Sequence, residues 1–332
     1  MDNIVKELIN AAHYHPSADN SQPLSYRITQ QGFVAYYDEK RVSGLTFEAT
    51  NPAIRIAIGA MIWNVEQRGQ EIGVDVEYSL NDDLTEVSFT VKGEPKNALN
   101  SESLVYQRCT NRAPFLPIDQ ATLIELEDLF AEESALLVSD DQKQSWIDLT
   151  QAASSIRFQV REIHELLSKA ITYDSNPESG LSLASLGLPC GAKPMVRWIS
   201  DWKNLSRMNR IGAYKLLASE EVKLLKKAGV IGVVYTEDDN YIEAGKATGR
   251  LWSRINQLGL SVHPYYVITD ITHRYREQTL PKDFTDEARD VLASYHKWVG
   301  PNYNPVIMFR IGNAKKVLPR SGRYPVEELI TS

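Results

Sequence analysis

Two cysteines, Cys109 and Cys190, are all that the 332 residues contain. They cannot build a disulfide framework, and neither stands in a metal-ligand spacing, so a reducing compartment fits and no metal is expected. No stretch approaches the ~20 apolar residues that a membrane-spanning helix needs. The start, Met1 to Asn10, carries Asp2, Lys6 and Glu7 with no long apolar run, unlike a secretory signal. An excess of positive charge is missing too. The net charge is −7, which offers no basic face to nucleic acid. No GxGxxG precedes a helix, and neither a Walker loop nor HExxH occurs. These absences describe a cytoplasmic protein with no nucleic-acid or membrane partner.

What is present is ordinary for a folded chain. The hydrophobic share is 43% and the charged share 24%, which excludes disorder over most of the length. The length suffices for two domains or one large core. Periodicity predicts a helix over 3–13, stopped by Pro16, and strands over Leu24–Thr29 and Phe33–Asp38 around the Gln30–Gly32 turn. Over 52–72, Ile54, Ile58, Met61, Ile62 and Val65 fall at helical spacing, with Gly73 as C-cap. Strands follow near Val74–Leu80 and Val87–Lys92.

A second pass of helices and strands begins near residue 108. Asp119 is the expected cap of a helix over 120–131. Leu149, Ile156, Val160, Ile163 and Leu167 mark one long helix over 143–171. Residues 228–236 read as a buried strand, 241–258 as a helix, and Tyr265–Thr269 and Pro305–Ile311 as strands. The helix segment 59–73 echoes 245–259, each bounded by glycine, and the strand 85–93 echoes 304–312. A fused, diverged duplication leaves such a trace.

Three segments could carry chemistry. HPSADNSQP, His15–Pro23, crowds Pro16, Ser17, Asn20, Ser21 and Gln22 into one turn, where hydroxyl, amide and backbone N–H groups can face a polar ring or a phosphate. An ordinary helix-stop loop has the same composition. RCTNRAPF, Arg108–Phe115, sets Arg108 and Arg112 on either side of Thr110 ahead of a helix, a spacing that suits a phosphate because arginine offers a bidentate fork. A solvated basic turn would look alike. Arg320 and Arg323 flank Gly322 near the C-terminus and could join the same anion site, or form a basic tail.

Together these segments resemble the FMN-dependent nitroreductase family. An R-x-[ST]-x-R segment of that family matches Arg108, Thr110 and Arg112. Its turn of the form A-P-S-x-x-N-x-Q-P matches Pro16, Ser17, Asn20, Gln22 and Pro23, and its C-terminal basic position is matched by Arg320 and Arg323, ahead of PVEEL. The helices bearing Gly59, Ala60 and Asn64, and Ala244, Gly245, Ala247, Leu251 and Trp252, are also similar. The turn lies in the first half and the arginines open the second, an order that resembles the Acg-type branch, in which one chain folds as the family's dimer.

The resemblance implies an α+β fold with an antiparallel-rich mixed sheet in each of two related lobes, 1–107 and 108–332, forming a pseudo-dimer that is monomeric in function. It implies one FMN rather than two, because Met1–Asn10 has no arginine segment and 150–155 lack the proline and asparagine of the turn. It further implies flavin-mediated oxidation or reduction of a small organic molecule, with NAD(P)H as donor and no dedicated protein acid or base. Ala11 to His15 and Leu24 depart from the pattern, which bears on the ring environment.

The remaining candidates have plainer readings. His13 and His15 are expected as polar loop residues, Cys109 as a packed spacer, and His164 as partly buried. Trp198 and Trp202 are expected to pack at helical spacing, and Lys223, Lys226 and Lys227 to form a solvated helix face. Residues 172–205 are rich in Gly, Ser and Pro and longer than an ordinary connection, as in a lid or a crossover between lobes. Two rivals to the enzyme stay open. One is a protein that stores FMN behind a closed lid, and the other is a flavin-free scaffold.

Overall fold

The computed structural model describes residues 2–99, 102–174, 177–188 and 191–331. Cys190 and part of the segment 172–205 lie outside them. The first half opens with α1 (Asp2–His13), the hairpin of β1 (Leu24–Ile28) and β2 (Gly32–Tyr37), and a single turn, α2 (Glu39–Val42). The long α3 (Pro52–Ile72) follows, then β3 (Asp75–Leu80), β4 (Glu86–Lys92) and the short α4 (Leu104–Gln107). α3 begins and ends where its sequence dictates. The Asn51 side chain accepts from Ala53 N–H at 2.9 Å, Pro52 takes the position that needs no donor, and Gly73 closes the helix at φ +76°.

The second half runs β5 (Phe115–Leu116), α5 (Gln120–Ala131), β6 (Ala135–Val138), α6 (Lys143–Arg157), α7 (Arg161–Ala170), β7 (Ile171–Thr172) and β8 (Leu181–Ser182). After these come α8 (Ala192–Ile199), α9 (Trp202–Asn209), α10 (Ala213–Lys223), β9 (Val230–Glu237), α11 (Tyr241–Gln257) and β10 (Ser261–Tyr265). The chain closes with α12 (Val267–Arg276), α13 (Thr285–Val299), β11 (Tyr303–Ala314) and β12 (Ile330–Thr331).

Two expectations need correction. The single helix over 143–171 is two helices, because the backbone is extended at Val160. Val160 and Ile163 stay buried in the same core as Ile156, so the apolar rhythm survives the break. The strand expected over Tyr265–Thr269 ends at Tyr265. The β-branched run that follows is helical, its Thr269 hydroxyl donating to Val306 O at 2.9 Å and its flank packed on α6 and α13. Tertiary packing here outweighs strand propensity.

There are two main sheets. The first has the order β12-β1-β2-β4-β3, antiparallel except that β12 joins β1 in parallel, Tyr26 opposite Ile330. The second has the order β10-β11-β9-β6, all antiparallel, with β5 added to the end of β11. The C-terminal segment thus crosses back and completes the first sheet, where Leu329 is buried in the first core.

α3 and α11, the helices whose sequences echo each other, pack against one another between the sheets. Gly59 and Gly245 stand at the crossing. A methyl group on Gly59 would lie 2.0 Å from Ile242 O, and one on Gly245 would lie 2.4 Å from Ile56 O. The helices also exchange side chains. Ile242 of α11 is buried in the core of the first sheet, and Ile56 of α3 joins the core built around Phe309.

Candidate functional site

α1 ends at His13, and the carbonyls of its last turn need donors. Two arginines from distant segments supply them at His13 and at the two residues that follow the helix. Arg108 Nη2 donates to Tyr14 O at 2.9 Å, while Arg323 donates to His13 O at 2.5 Å and His15 O at 3.0 Å. Arg320 donates to Tyr106 O and Gln107 O at 2.9 and 3.0 Å, closing α4. Cation–π contacts fix two of the heads. Arg108 lies 4.8 Å from the Trp252 ring centre and Arg323 lies 5.2 Å from that of Tyr14.

Among the described residues no carboxylate comes within 4.0 Å of Arg108, Arg112, Arg320 or Arg323. Arg108, Arg320 and Arg323 instead repel one another. Burial, then Arg323 and Arg320, pushes the Arg108 guanidinium down to about 9. Burial brings Arg323 to about 10, with Arg320 adding to the fall. The buried Arg108 Nε has no hydrogen-bond partner among the described residues. Three cations held together by neutral carbonyls make an electropositive corner that an anion would relieve.

This corner forms part of the wall of a cavity of about 880 Å³. Of the residues matched to the three motif segments, Pro16, Ser17, Asn20, Arg108, Thr110, Arg112, Arg320 and Arg323 line it. Segments as far apart as 16–20, 108–112 and 320–323 therefore meet in one space. The apolar part of the wall comes from Ile56 and Ala57 of α3, Trp252 of α11, and Leu166 and Leu167 of α7.

Gln22 does not line the cavity. Its side chain is buried and ties three segments together, donating to Glu178 O at 2.8 Å and accepting from Tyr324 N–H at 3.1 Å. Asn20 faces the cavity, yet its amide donates to Gly322 O at 2.8 Å and to Gly180 O at 3.3 Å. The turn is held by left-handed backbone at Asp19, Asn20 and Gln22, and Ser17 Oγ accepts from Gln22 N–H at 3.0 Å. Leu181, Ser185, Leu186, Gly187 and Leu188, all from the segment 172–205, form another part of the wall.

Several sequence readings change. His13 and His15 are buried rather than polar loop residues, and burial with the Arg323 charge lowers His13 to about 3 and His15 well below its ordinary value, so both are neutral near pH 7. Trp198 and Trp202 belong to two separate helices, and Trp198 is exposed rather than packed while Trp202 is half-buried. Lys223 and Lys227 are exposed but also line the cavity. Cys109 is a spacer held by its backbone, its N–H donating to Asn256 Oδ1 at 2.8 Å and its carbonyl accepting from Trp252 Nε1 at 3.0 Å.

Other lining residues were not singled out: Asp19, Arg157, Glu221, His263 and Asp270. Asp19 makes no hydrogen bond or ion pair among the described residues. Burial raises its carboxyl, against the pull of Arg157 and Arg112. It sits inside the quoted turn, so its place was readable there. The others come from helices and strands whose local pattern shows only core packing.

No family model matches this chain, and no curated protein matches it. Solved structures with similar arrangements include the FMN and NADPH-dependent nitroreductase NfnB of sphigopyxis sp. strain HMH, at 16% identity and a TM-score of 0.34. Two mutants of that enzyme stand at 14% and 17% identity, with TM-scores of 0.36 and 0.33. Each likeness covers 69% of this chain and 96% of the other.

Proposed function

We propose that this protein is a nitroreductase-like oxidoreductase that holds one FMN in the cavity between two lobes of a single chain and takes electrons from NAD(P)H. The observation that carries this reading is the corner of buried Arg108, half-buried Arg323 and exposed Arg320, three cations with no carboxylate partner among the described residues, on the wall of a cavity large enough for a cofactor. The residues fit the group. The arginines suit its terminal phosphate, with the Thr110 and Ser17 hydroxyls nearby, and Ile56, Ala57 and Trp252 suit an aromatic ring system. FMN in this place would supply hydride and electron transfer between a nicotinamide and a second small organic substrate.

The chain's own part is to bind, orient and shield. The carbonyls of 13–15 and 106–107 aim the arginines before any ligand arrives, so little ordering is lost on binding. The apolar wall excludes water from the reacting face. No residue is assigned as a general acid or base.

The test starts with the purified protein. A yellow preparation that releases about one FMN per chain, and whose visible band bleaches with NADH or NADPH, supports the reading. A colourless protein that takes up no added FMN removes it and leaves the scaffold reading.

A second reading, a store that holds FMN without turnover, is favoured by the clasp over the cavity. Asn20 and Gln22 bind the 172–205 segment through Gly180 and Glu178. A closed clasp would keep a nicotinamide from near-attack distance. Rapid bleaching by dithionite with slow bleaching by saturating NAD(P)H would favour the store. Replacing residues 178–192 by a Gly/Ser linker should then speed reduction and weaken flavin retention.

A further inference from the structure

Eleven large apolar side chains stand exposed among the described residues, and five of them fall within residues 188–216: Leu188, Met195, Trp198, Ile211 and Leu216. Ile211 is 80% exposed and Leu216 63%. The same stretch is basic. Lys193, Arg197, Lys203, Arg207, Arg210 and Lys215 are all exposed, and Asp201 is the one acidic residue between 192 and 216. No carboxylate lies within 4.0 Å of any of the six among the described residues. This cationic, apolar surface belongs to a chain whose net charge is −7.

α8 sharpens the point. Its eight residues include no buried side chain, while Met195 and Trp198 stand on adjacent turns. A helix that short is unstable in water without burial on a partner. α9 packs on both α8 and α10, and buried Leu205 anchors α9 while buried Ala218 and Val222 anchor α10. Among the described residues nothing covers Lys193, Met195, Arg197 or Trp198 of α8, which are all exposed.

We propose that α8, α9 and the start of α10 form a peripheral docking surface for an anionic lipid bilayer. Apolar residues with tryptophan, interleaved with basic residues and low in net hydrophobicity, are what a segment lying in a lipid–water interface requires. The cations, which no carboxylate among the described residues neutralises, choose the sign of the surface. This is a contact on one face, distinct from a membrane span. Its position matters for the cavity. Leu188 and Leu217, on the same stretch, line it, so a docked protein would hold part of the cavity wall beside the bilayer. The inference stands without the flavin reading, since it rests on the outer surface alone.

The test uses the full chain with vesicles of phosphatidylcholine, with or without about one third phosphatidylglycerol. Co-sedimentation with the anionic vesicles only, weakening as salt is raised, is expected. Lys193→Glu with Arg197→Glu should lower partitioning by about fivefold per neutralised cation or more. Trp198→Ser with Met195→Ser should lower it by about tenfold. Trp298→Ser, an exposed tryptophan on α13, should leave it unchanged, and unfolding curves should show that all variants fold. Absence of binding to anionic vesicles, or equal binding to neutral ones, overturns the proposal. So does a concentration-dependent dimer that the Trp198 and Met195 changes disperse, since a second copy would then cover this face.

Discussion

At the scale of single residues, the site depends on cations that the fold holds near one another. Arg108→Ala or Arg323→Ala should weaken FMN binding roughly tenfold to hundredfold, the value of a sheltered charge-assisted hydrogen bond. Riboflavin, which lacks the phosphate, should respond far less, and Lys226→Ala should change neither. Titration of flavin fluorescence measures all of these, and equal small effects at the three positions would make the arginines helix caps alone. A second residue-scale effect concerns acid. His13 has an ordinary value of 6.5 and is lowered to about 3 by burial and Arg323. Between those values the unfolded chain binds a proton that the folded chain refuses. Stability is therefore full above about 6.5 and falls toward pH 3, by up to about 1.4 kcal/mol per pH unit for this group. His13→Gln should show a shallower loss than the parent when urea unfolding is followed from pH 7 to 5. The arginines and the turn were legible in the sequence because their residue types are unusual in that spacing. The burial of His13 and His15 was not, since a polar ring beside Pro16 looks the same whether it faces solvent or core.

At the scale of elements, the crossing of α3 and α11 is the tightest constraint. Gly59→Ala and Gly245→Ala place a methyl group against backbone oxygen at 2.0 and 2.4 Å, and backbone cannot step aside as a flexible side chain can. Each should cost about 3 kcal/mol or more by denaturant unfolding. Gly93→Ala makes the contrasting case. It has φ +85° but open space around it, so only the local conformational cost of roughly 1 kcal/mol should appear. Helix ends written in caps were readable, as at Gly73 and Asp119, though the Asn51 cap ahead of Pro52 was not singled out. The break at Val160 was hidden because Ile156, Val160 and Ile163 all serve one core. The helix α12 was hidden because Val267, Ile268 and Thr269 favour strands until packing on α6 and α13 decides otherwise.

At the scale of the whole molecule, the cavity joins segments that lie some three hundred residues apart, from Tyr14 to Arg323. Their meeting place was legible through the family resemblance, whereas the lining by Arg157, Lys227 and Asp270 was not. If the pseudo-dimer reading holds, the second lobe is tethered to the first and the site needs no partner chain. Flavin retention should then be independent of protein concentration in dilution experiments monitored by sedimentation. Loss of flavin in step with dissociation of an oligomer would contradict it. Removing residues 319–332 should do two things at once. It deletes Arg320 and Arg323 from the anion corner and β12 from the first sheet, so anion binding and the unfolding midpoint should both drop.

That last strand has a consequence for how the protein is made. β1 is synthesised early, yet its parallel neighbour, β12, emerges about three hundred residues later. Until then one edge of the first sheet stays open, and the arginine that fastens the end of α1 is also still to come. A growing or broken chain therefore displays a vacant strand edge, the kind of surface that chaperones and proteases recognise. The residues that seal that edge and those that join the anion corner lie within one short stretch, 320–331, so a chain broken ahead of it loses both together.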